Sequence, residues 1–246
     1  MDFFAYIVLG LYTLCSILLL AYGLNTYFII YLFLSKRSAN LESDREREAR
    51  FADRFTDAES LPIVTTQIPL YNEINVAERV IRAVAGIEYP KDRHEIQVLD
   101  DSSDETCALV DAVAEDLRAA GHWVSVLRRE NRIGYKAGAL EAGMAGCKGE
   151  YIAIFDADFL PAKDWLQKTV PYFKNSKIGV VQTRWGHINR DYSVLTRVQA
   201  FALDAHFTLE QVGRNSKEHF INFNGTAGIW RKECILDAGN WEGDTL

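Results

Sequence analysis

Three groups of acidic residues stand at the ends of short apolar runs. Pro69-Leu70-Tyr71-Asn72-Glu73 follows Leu61–Ile68, Asp100-Asp101-Ser102-Ser103-Asp104 follows Glu95–Leu99, and Asp156-Ala157-Asp158 follows Tyr151–Phe155. A carboxylate in such a place accepts hydrogen bonds from a base or a ribose hydroxyl, or holds a hard divalent cation through oxygen. A diphosphate brings oxygen ligands of its own, so one Asp-x-Asp suffices to anchor a bridging cation. That cation offsets the negative charge that develops on a leaving diphosphate. Alone, Asp-x-Asp fits a solvated turn or a helix cap equally well. The run Tyr151-Ile152-Ala153-Ile154-Phe155 before it favours a buried strand, with both aspartates at the sheet's carboxyl edge.

The elements that must position these groups follow from the pattern after residue 60. Strands are expected at Leu61–Ile68, Glu95–Leu99, Val124–Leu127, Tyr151–Phe155 and Ile178–Thr183. Helices are expected at Val76–Ala85, Glu105–Ala120, Lys136–Ala145 and near Asp164–Phe173, with a long amphipathic stretch from Ser193 to Val212. Strands alternating with helices at this spacing predict βαβ units and a mostly parallel sheet. Ligands of such sheets bind beyond the carboxyl ends of the strands, where the acidic groups stand. A dinucleotide site would show GxGxxG after the first strand, and Gly143, Gly146 and Gly149 have the wrong spacing for it. No Walker A sequence is present.

The four motifs occur in a fixed order: Pro69-x-Tyr71-Asn72-Glu73, Val98-Leu99-Asp100-Asp101-Ser102-Ser103-Asp104, Lys136-Ala137-Gly138-Ala139-Leu140 and Phe155-Asp156-Ala157-Asp158. Together they resemble family-2 glycosyltransferases of the A-type fold, a Rossmann-like, mostly parallel α/β sheet flanked by helices. Gly134-Tyr135 before Lys136, and Phe223-Asn224-Gly225-Thr226-Ala227-Gly228, resemble the membrane-bound cellulose-synthase-like branch, especially its mannan and glucomannan synthases. The resemblance implies that Tyr71 and Glu73 line the nucleoside pocket and that Asp101, with Asp100 beside it, binds the base. Lys136 and Gly138 lie near the donor nucleotide. Asp156 and Asp158 are the catalytic pair that holds Mg²⁺ or Mn²⁺ and the diphosphate. Asn224, Gly225 and Thr226 border the acceptor sugar. Plainer roles stay open: Glu73 and Asp104 as helix caps, Lys136 as a surface lysine, Asn224-Gly225 as an ordinary turn.

The implied activity is inverting transfer of a hexose from UDP-glucose or GDP-mannose to a β-glycan acceptor, by single displacement with a carboxylate base. The family's base lies in a Thr-Glu-Asp motif beyond a segment like Gly239-Asn240-Trp241, and the sequence reaches Leu246 without it. The expectation is therefore a catalytic domain over residues 61–246 that lacks its base, binding donor better than it turns over. Gln182-Thr183-Arg184-Trp185 is one residue short of the family's Gln-x-x-Arg-Trp and is read as a strand edge. A membrane-tethered nucleotide-sugar-binding module without turnover is the competing function. A nucleotidyltransferase would need a glycine-rich, basic loop after the first strand, which Pro69–Glu73 is not.

Residues Phe3–Leu34 carry no charge. As a helix they would measure about 48 Å, against about 30 Å of hydrocarbon. A signal peptide would have a basic start and a shorter apolar run. Residues 1–35 are thus expected to be a transmembrane anchor in a lipid bilayer, either a bacterial inner membrane or a Golgi-type membrane. Lys36 and Arg37 place the domain on the cytoplasmic side. Residues 36–60, rich in both charges, read as a tether. The net charge of −7 argues against a nucleic-acid partner. Cys15, Cys107, Cys147 and Cys234 have no metal or redox spacing and read as free thiols. His206 and Glu210 stand four apart without a third ligand, so no metal site is expected there.

Overall fold

The computed structural model describes residues 3–52, 61–212 and 221–243. The chain forms two compact units, Met1–Asp44 with Arg184–Asn222 and Arg45–Thr183 with Phe223–Leu246.

The larger unit is built on six strands, β1 (Val64–Leu70), β2 (His94–Asp100), β3 (Trp123–Leu127), β4 (Tyr151–Ile154), β5 (Val180–Gln182) and β6 (Gly228–Arg231). Their order in the sheet is β3-β2-β1-β4-β6-β5. The first four run parallel, and β6 enters antiparallel to both β4 and β5. Helices α2 (Ala77–Ala85), α3 (Thr106–Ala119) and α4 (Tyr135–Met144) are the crossovers. Shorter helices α5 (Trp165–Thr169) and α7 (Lys232–Asp237) follow β4 and β6. Every residue of β2 and β4 is buried, as a parallel sheet covered on both faces requires. Leu99, Ile152 and Ile154 pack with Ala139, Leu140, Met144, Cys147 and Ile235 in one apolar cluster.

Polar side chains lie within this buried sheet, and each is met by a partner across the strands. Thr65 pairs with Glu95 and Gln67 with Gln97 in register. The Thr65 hydroxyl donates to Glu95 at 2.5 Å, and Glu95 also accepts from the Lys148 amide at 2.8 Å. Gln67 Nε2 donates to Gln97 Oε1 at 3.1 Å. These bonds tie the centre of the sheet to the chain just before β4. The four cysteines are free thiols.

The predicted strands and helices fall where expected to within a few residues, apart from β6. Gly228-Ile229-Trp230-Arg231 is too short to stand out as a periodic run, and its place between β4 and β5 depends on the turn before it. The sheet is consequently mixed at one side.

Helix α1 runs from Phe3 to Ala52 without a break, and its residues up to Asp44 belong to the smaller unit. Residues 36–52 of the expected tether are therefore helix, and residues 53–60 lie outside the described residues. No glycine or proline stands between Gly23 and Leu61, and Glu, Arg, Ala and Leu are strong helix formers. Phe3–Ser35 is long and apolar enough to cross a membrane, and none of its described side chains is buried. The amphipathic stretch forms α6 (Val194–Ala205), started by a Ser193–Thr196 capping box, and continues as a π-helical turn over His206–Gln211. Arg184 and Arg190 both reach Asp204. The Glu210 side chain, half of the dismissed His206–Glu210 pair, lies outside the described residues.

His94 is buried at the start of β2, with its Nε2 2.8 Å from the Thr66 hydroxyl. Burial, and then repulsion from His122, pushes its imidazolium pKa down to about 4. A depressed histidine pKa favours the neutral ring in the fold, so stability is full above the ordinary value of 6.5. It falls as pH drops from there towards 4, by up to about 3 kcal/mol. His94→Gln should flatten the melting temperature of the detergent-solubilised chain between pH 6.5 and 4.5. An unchanged slope would assign the acid sensitivity to other groups.

Candidate active site

A cavity of about 410 Å³ opens beyond the carboxyl ends of β1, β2 and β4. Pro69, Leu70, Tyr71, Glu73, Asp101, Arg132, Lys136, Ala139, Asp156, Ala157 and Asp158 line it. The structure thus brings together six residues that the sequence singled out: Tyr71, Glu73, Asp101, Lys136, Asp156 and Asp158. Asp100, Gly138, Asn224, Gly225 and Thr226 are not part of the lining.

The loops holding these groups are tied to one another. Asn72 sits at φ 55° after β1. Its amide donates to the Ser102 hydroxyl at 2.9 Å, and its side-chain oxygen accepts from the Ser103 amide at 2.8 Å. The loops after β1 and β2 are therefore one assembly. Glu73 does not cap α2 with its side chain; its backbone carbonyl receives the amides of Val76 and Ala77. The carboxylate is left facing the cavity. Burial, and then repulsion from Asp158 and Asp156, holds the Glu73 carboxyl above the ordinary carboxylate range. Asp104 does take the plain role, accepting from the Thr106 amide at 3.0 Å at the start of α3.

The two aspartates that end β2 divide their work. Asp100 has a side chain with no solvent exposure, and Arg128 meets it at 2.8 Å. It also accepts from the Ser102 amide at 3.1 Å. It anchors the segment after β3 and is not among the residues lining the cavity. Asp101 reaches the cavity, but Arg129 grips it with two bonds of 3.0 and 2.5 Å. The same guanidinium donates to the carbonyls of Ile133 and Tyr135. A base meeting Asp101 meets a carboxylate already fixed in place and partly neutralised.

Arg132 is the residue that the sequence reading missed. Its guanidinium lies 3.3 Å from the centre of the Tyr71 ring and 4.0 Å from Asp101. Its Nε is buried with no hydrogen-bond partner in the protein. A cation stacked on Tyr71 at the cavity wall suits an anionic ligand. The signal was present in the spacing, since Arg128, Arg129 and Arg132 all precede Lys136, but isolated arginines in a loop look like solvated charge.

On the opposite wall, Lys136 contacts Asp156 and donates to the Gly225 carbonyl at 2.8 Å. It is not a solvated surface lysine. The Asp156 amide donates to the Thr226 hydroxyl at 2.9 Å. Gln182 Nε2 donates to the carbonyls of Thr226 and Ala227, and its Oε1 accepts from the Asn224 amide. Gly225 takes φ +80° and Ala227 φ 50°. Asn224–Thr226 is thus a turn built onto the sheet edge beside Asp156, with Thr226 buried.

Two carboxylates from Asp156 and Asp158, with Glu73 repelled by both, make a strongly negative patch. Among the described residues no group of three acidic, histidine or cysteine side chains encloses a metal on its own. Asp156 and Asp158 alone would hold a hard cation weakly, and firmly only when a ligand such as a diphosphate supplies further oxygens.

A family model for glycosyl transferase family 2 matches residues 66–235, and the chain belongs to that family. Relatives include glucomannan 4-beta-mannosyltransferase 9 of Arabidopsis thaliana, 46% identical over 191 residues (75% of this chain, 36% of the relative). Glucomannan 4-beta-mannosyltransferase 1 of Cyamopsis tetragonoloba is 42% identical over 213 residues (84% and 39%). The chain therefore spans less than half the length of these relatives. The mannosyltransferase PcManGT of Pyrobaculum calidifontis, solved with GDP-Man and Mn²⁺, has the same fold, with a TM-score of 0.62 at 23% identity, covering 88% of this chain and 60% of that one. TarS 1–349 of S. aureus, solved with UDP-GlcNAc, gives 0.53 at 15%, covering 73% and 48%.

Gly138, expected near the donor, also packs closely against the loop before it. A Cβ there would overlap the Ile133 carbonyl oxygen and lie 2.6 Å from the Arg129 guanidinium. Gly138→Ala should cost about 2 kcal/mol, in the range of overpacking, and lower the melting temperature by several degrees. An unchanged melting temperature would mean that the 129–133 loop yields freely.

Proposed function

We propose that this chain carries the donor-binding part of a membrane-anchored, inverting hexosyltransferase acting on a β-glycan. The observation that carries the reading is the gathering of Glu73, Asp101, Asp156 and Asp158 around one cavity, with Arg132 and Lys136 between them. Four acids beside two bases repel a bare diphosphate unless a cation joins them. A cation would also relieve the repulsion felt by Glu73.

In this reading Asp156 and Asp158 hold Mg²⁺ or Mn²⁺, which supplies charge neutralisation to the departing diphosphate. Arg132 and Tyr71 meet the nucleoside side of the donor, with Asp101 held ready by Arg129. Glu73 borders the ribose or the sugar. The Asn224–Thr226 turn faces the acceptor side. The acceptor's proton is assigned to no residue of this chain, since each acid of the cavity already has a role. The plant relatives are glucomannan 4-beta-mannosyltransferases, which supports mannose over glucose and makes GDP-mannose the first donor to test. The Phe3–Ser35 helix supports a bilayer anchor, and Lys36 and Arg37 support a cytoplasmic domain.

The test is calorimetric titration of the detergent-solubilised chain with GDP-mannose and UDP-glucose, in Mn²⁺, Mg²⁺ and EDTA. Wild-type affinity for one donor should rise about tenfold or more with the cation, the scale of a charge-assisted contact. Asp158→Asn should remove most of that rise and leave the affinity in EDTA nearly as it was. A donor affinity indifferent to cations in the wild type would contradict the assignment of Asp156 and Asp158.

A further inference from the structure

Lys136 makes two bonds that belong to different parts of the site. Its ammonium contacts the Asp156 carboxylate at the end of β4 and donates to the Gly225 carbonyl at 2.8 Å. The neighbouring Thr226 hydroxyl accepts from the Asp156 amide at 2.9 Å. Asp156 is thus joined to the Asn224–Thr226 turn twice, once by its own backbone and once through the lysine.

The pair differs in kind from its counterpart across the cavity. Arg129 and Asp101 are 14% and 6% exposed and are joined by two parallel bonds. That pair is a fixed strut. Lys136 and Asp156 are 37% and 34% exposed. An ammonium on a flexible stem can rotate away from a carboxylate, whereas a bidentate guanidinium is held in plane. A half-exposed ion pair is also held only weakly, so a competing charge can break it.

Resting on the cation role of Asp156 and Asp158 proposed above, we propose that Lys136 is a positioning residue that serves as the resident cation of Asp156 and is exchanged for the divalent cation. Two cations cannot share one carboxylate oxygen at contact distance without strong repulsion. When the divalent ion takes Asp156, the ammonium is released towards the incoming diphosphate, which has negative charge to receive it. The Gly225 carbonyl loses its donor in the same movement. Loading of the donor thereby loosens the turn that borders the acceptor side. Cation and diphosphate must then bind with positive coupling, and by linkage each raises the other's affinity by the same factor.

Removing the ammonium removes the competitor. Mn²⁺ binding to the detergent-solubilised chain without nucleotide, followed by electron paramagnetic resonance, should be about fivefold tighter in Lys136→Met than in the wild type, the scale of a half-exposed ion pair. Lys136→Arg keeps the charge and should show no such gain. GDP titrated with and without saturating Mn²⁺ should give a smaller coupling factor in Lys136→Met. Hydrogen exchange of residues 223–228 should speed up in the wild type on adding Mn²⁺ with GDP, and be fast from the outset in Lys136→Met. Circular dichroism establishes that each variant is folded. Weaker or unchanged Mn²⁺ binding in folded Lys136→Met, or the same gain in Lys136→Arg, would overturn the exchange. A wild-type chain that binds no Mn²⁺, with GDP or without it, would instead remove the cation reading on which the exchange rests.

Discussion

Like charges brought close together repel, and the carboxyl edge of this sheet gathers Glu73, Asp101, Asp156 and Asp158 around one cavity. Much of the local architecture follows from holding them there. The raised affinity of Glu73 for its proton comes first from its partial burial and then from repulsion by Asp158 and Asp156. Arg129 neutralises Asp101, and Lys136 neutralises Asp156. Asp158 and Glu73 keep negative charge that the protein does not cancel among the described ion pairs. That surplus is what makes a cation and a diphosphate, taken together, a suitable occupant.

The edge is held by a hierarchy of constraints. Strands buried on both faces fix the origins of the three loops, and the Thr65–Glu95 and Gln67–Gln97 pairs fix their register. Asn72 then ties the first loop to the second. Asp100, fully enclosed against Arg128, sets where the chain after β3 turns back. Gly138 lets α4 approach that segment closely enough for Arg129 to reach both Asp101 and the Ile133 carbonyl. Lys136 joins the edge through an ion pair in which both side chains are about a third exposed. The site thus has one stiff wall, made by arginines, and one wall that a ligand can rearrange.

The strands, the crossovers and most of the acidic site were legible in the sequence, because apolar runs ending in carboxylates carry their own register. The ordered motifs added the family and, with it, Lys136. What was not legible depended on contacts between distant segments. Nothing in Asp100-Asp101 says which of two adjacent carboxylates is enclosed; the pairing with Arg128 and Arg129 decides it. β6 is four residues long and acquires its place from β4 and β5. Arg132 became visible as a site residue only once its guanidinium lay over Tyr71. The charged stretch after Ser35 reads as a tether that is either a solvated helix or a linker, and its helix formers carry α1 on to Ala52.

The claim that a divalent cation joins Asp156 and Asp158 to a diphosphate is tested most directly by locating the ion. Crystals of the chain grown with Mn²⁺ and GDP should show an anomalous scattering peak between the Asp158 carboxylate and the phosphate oxygens, at oxygen-ligand distance from both. A nucleotide bound in this cavity with no such peak, or with the peak away from both aspartates, would contradict the account.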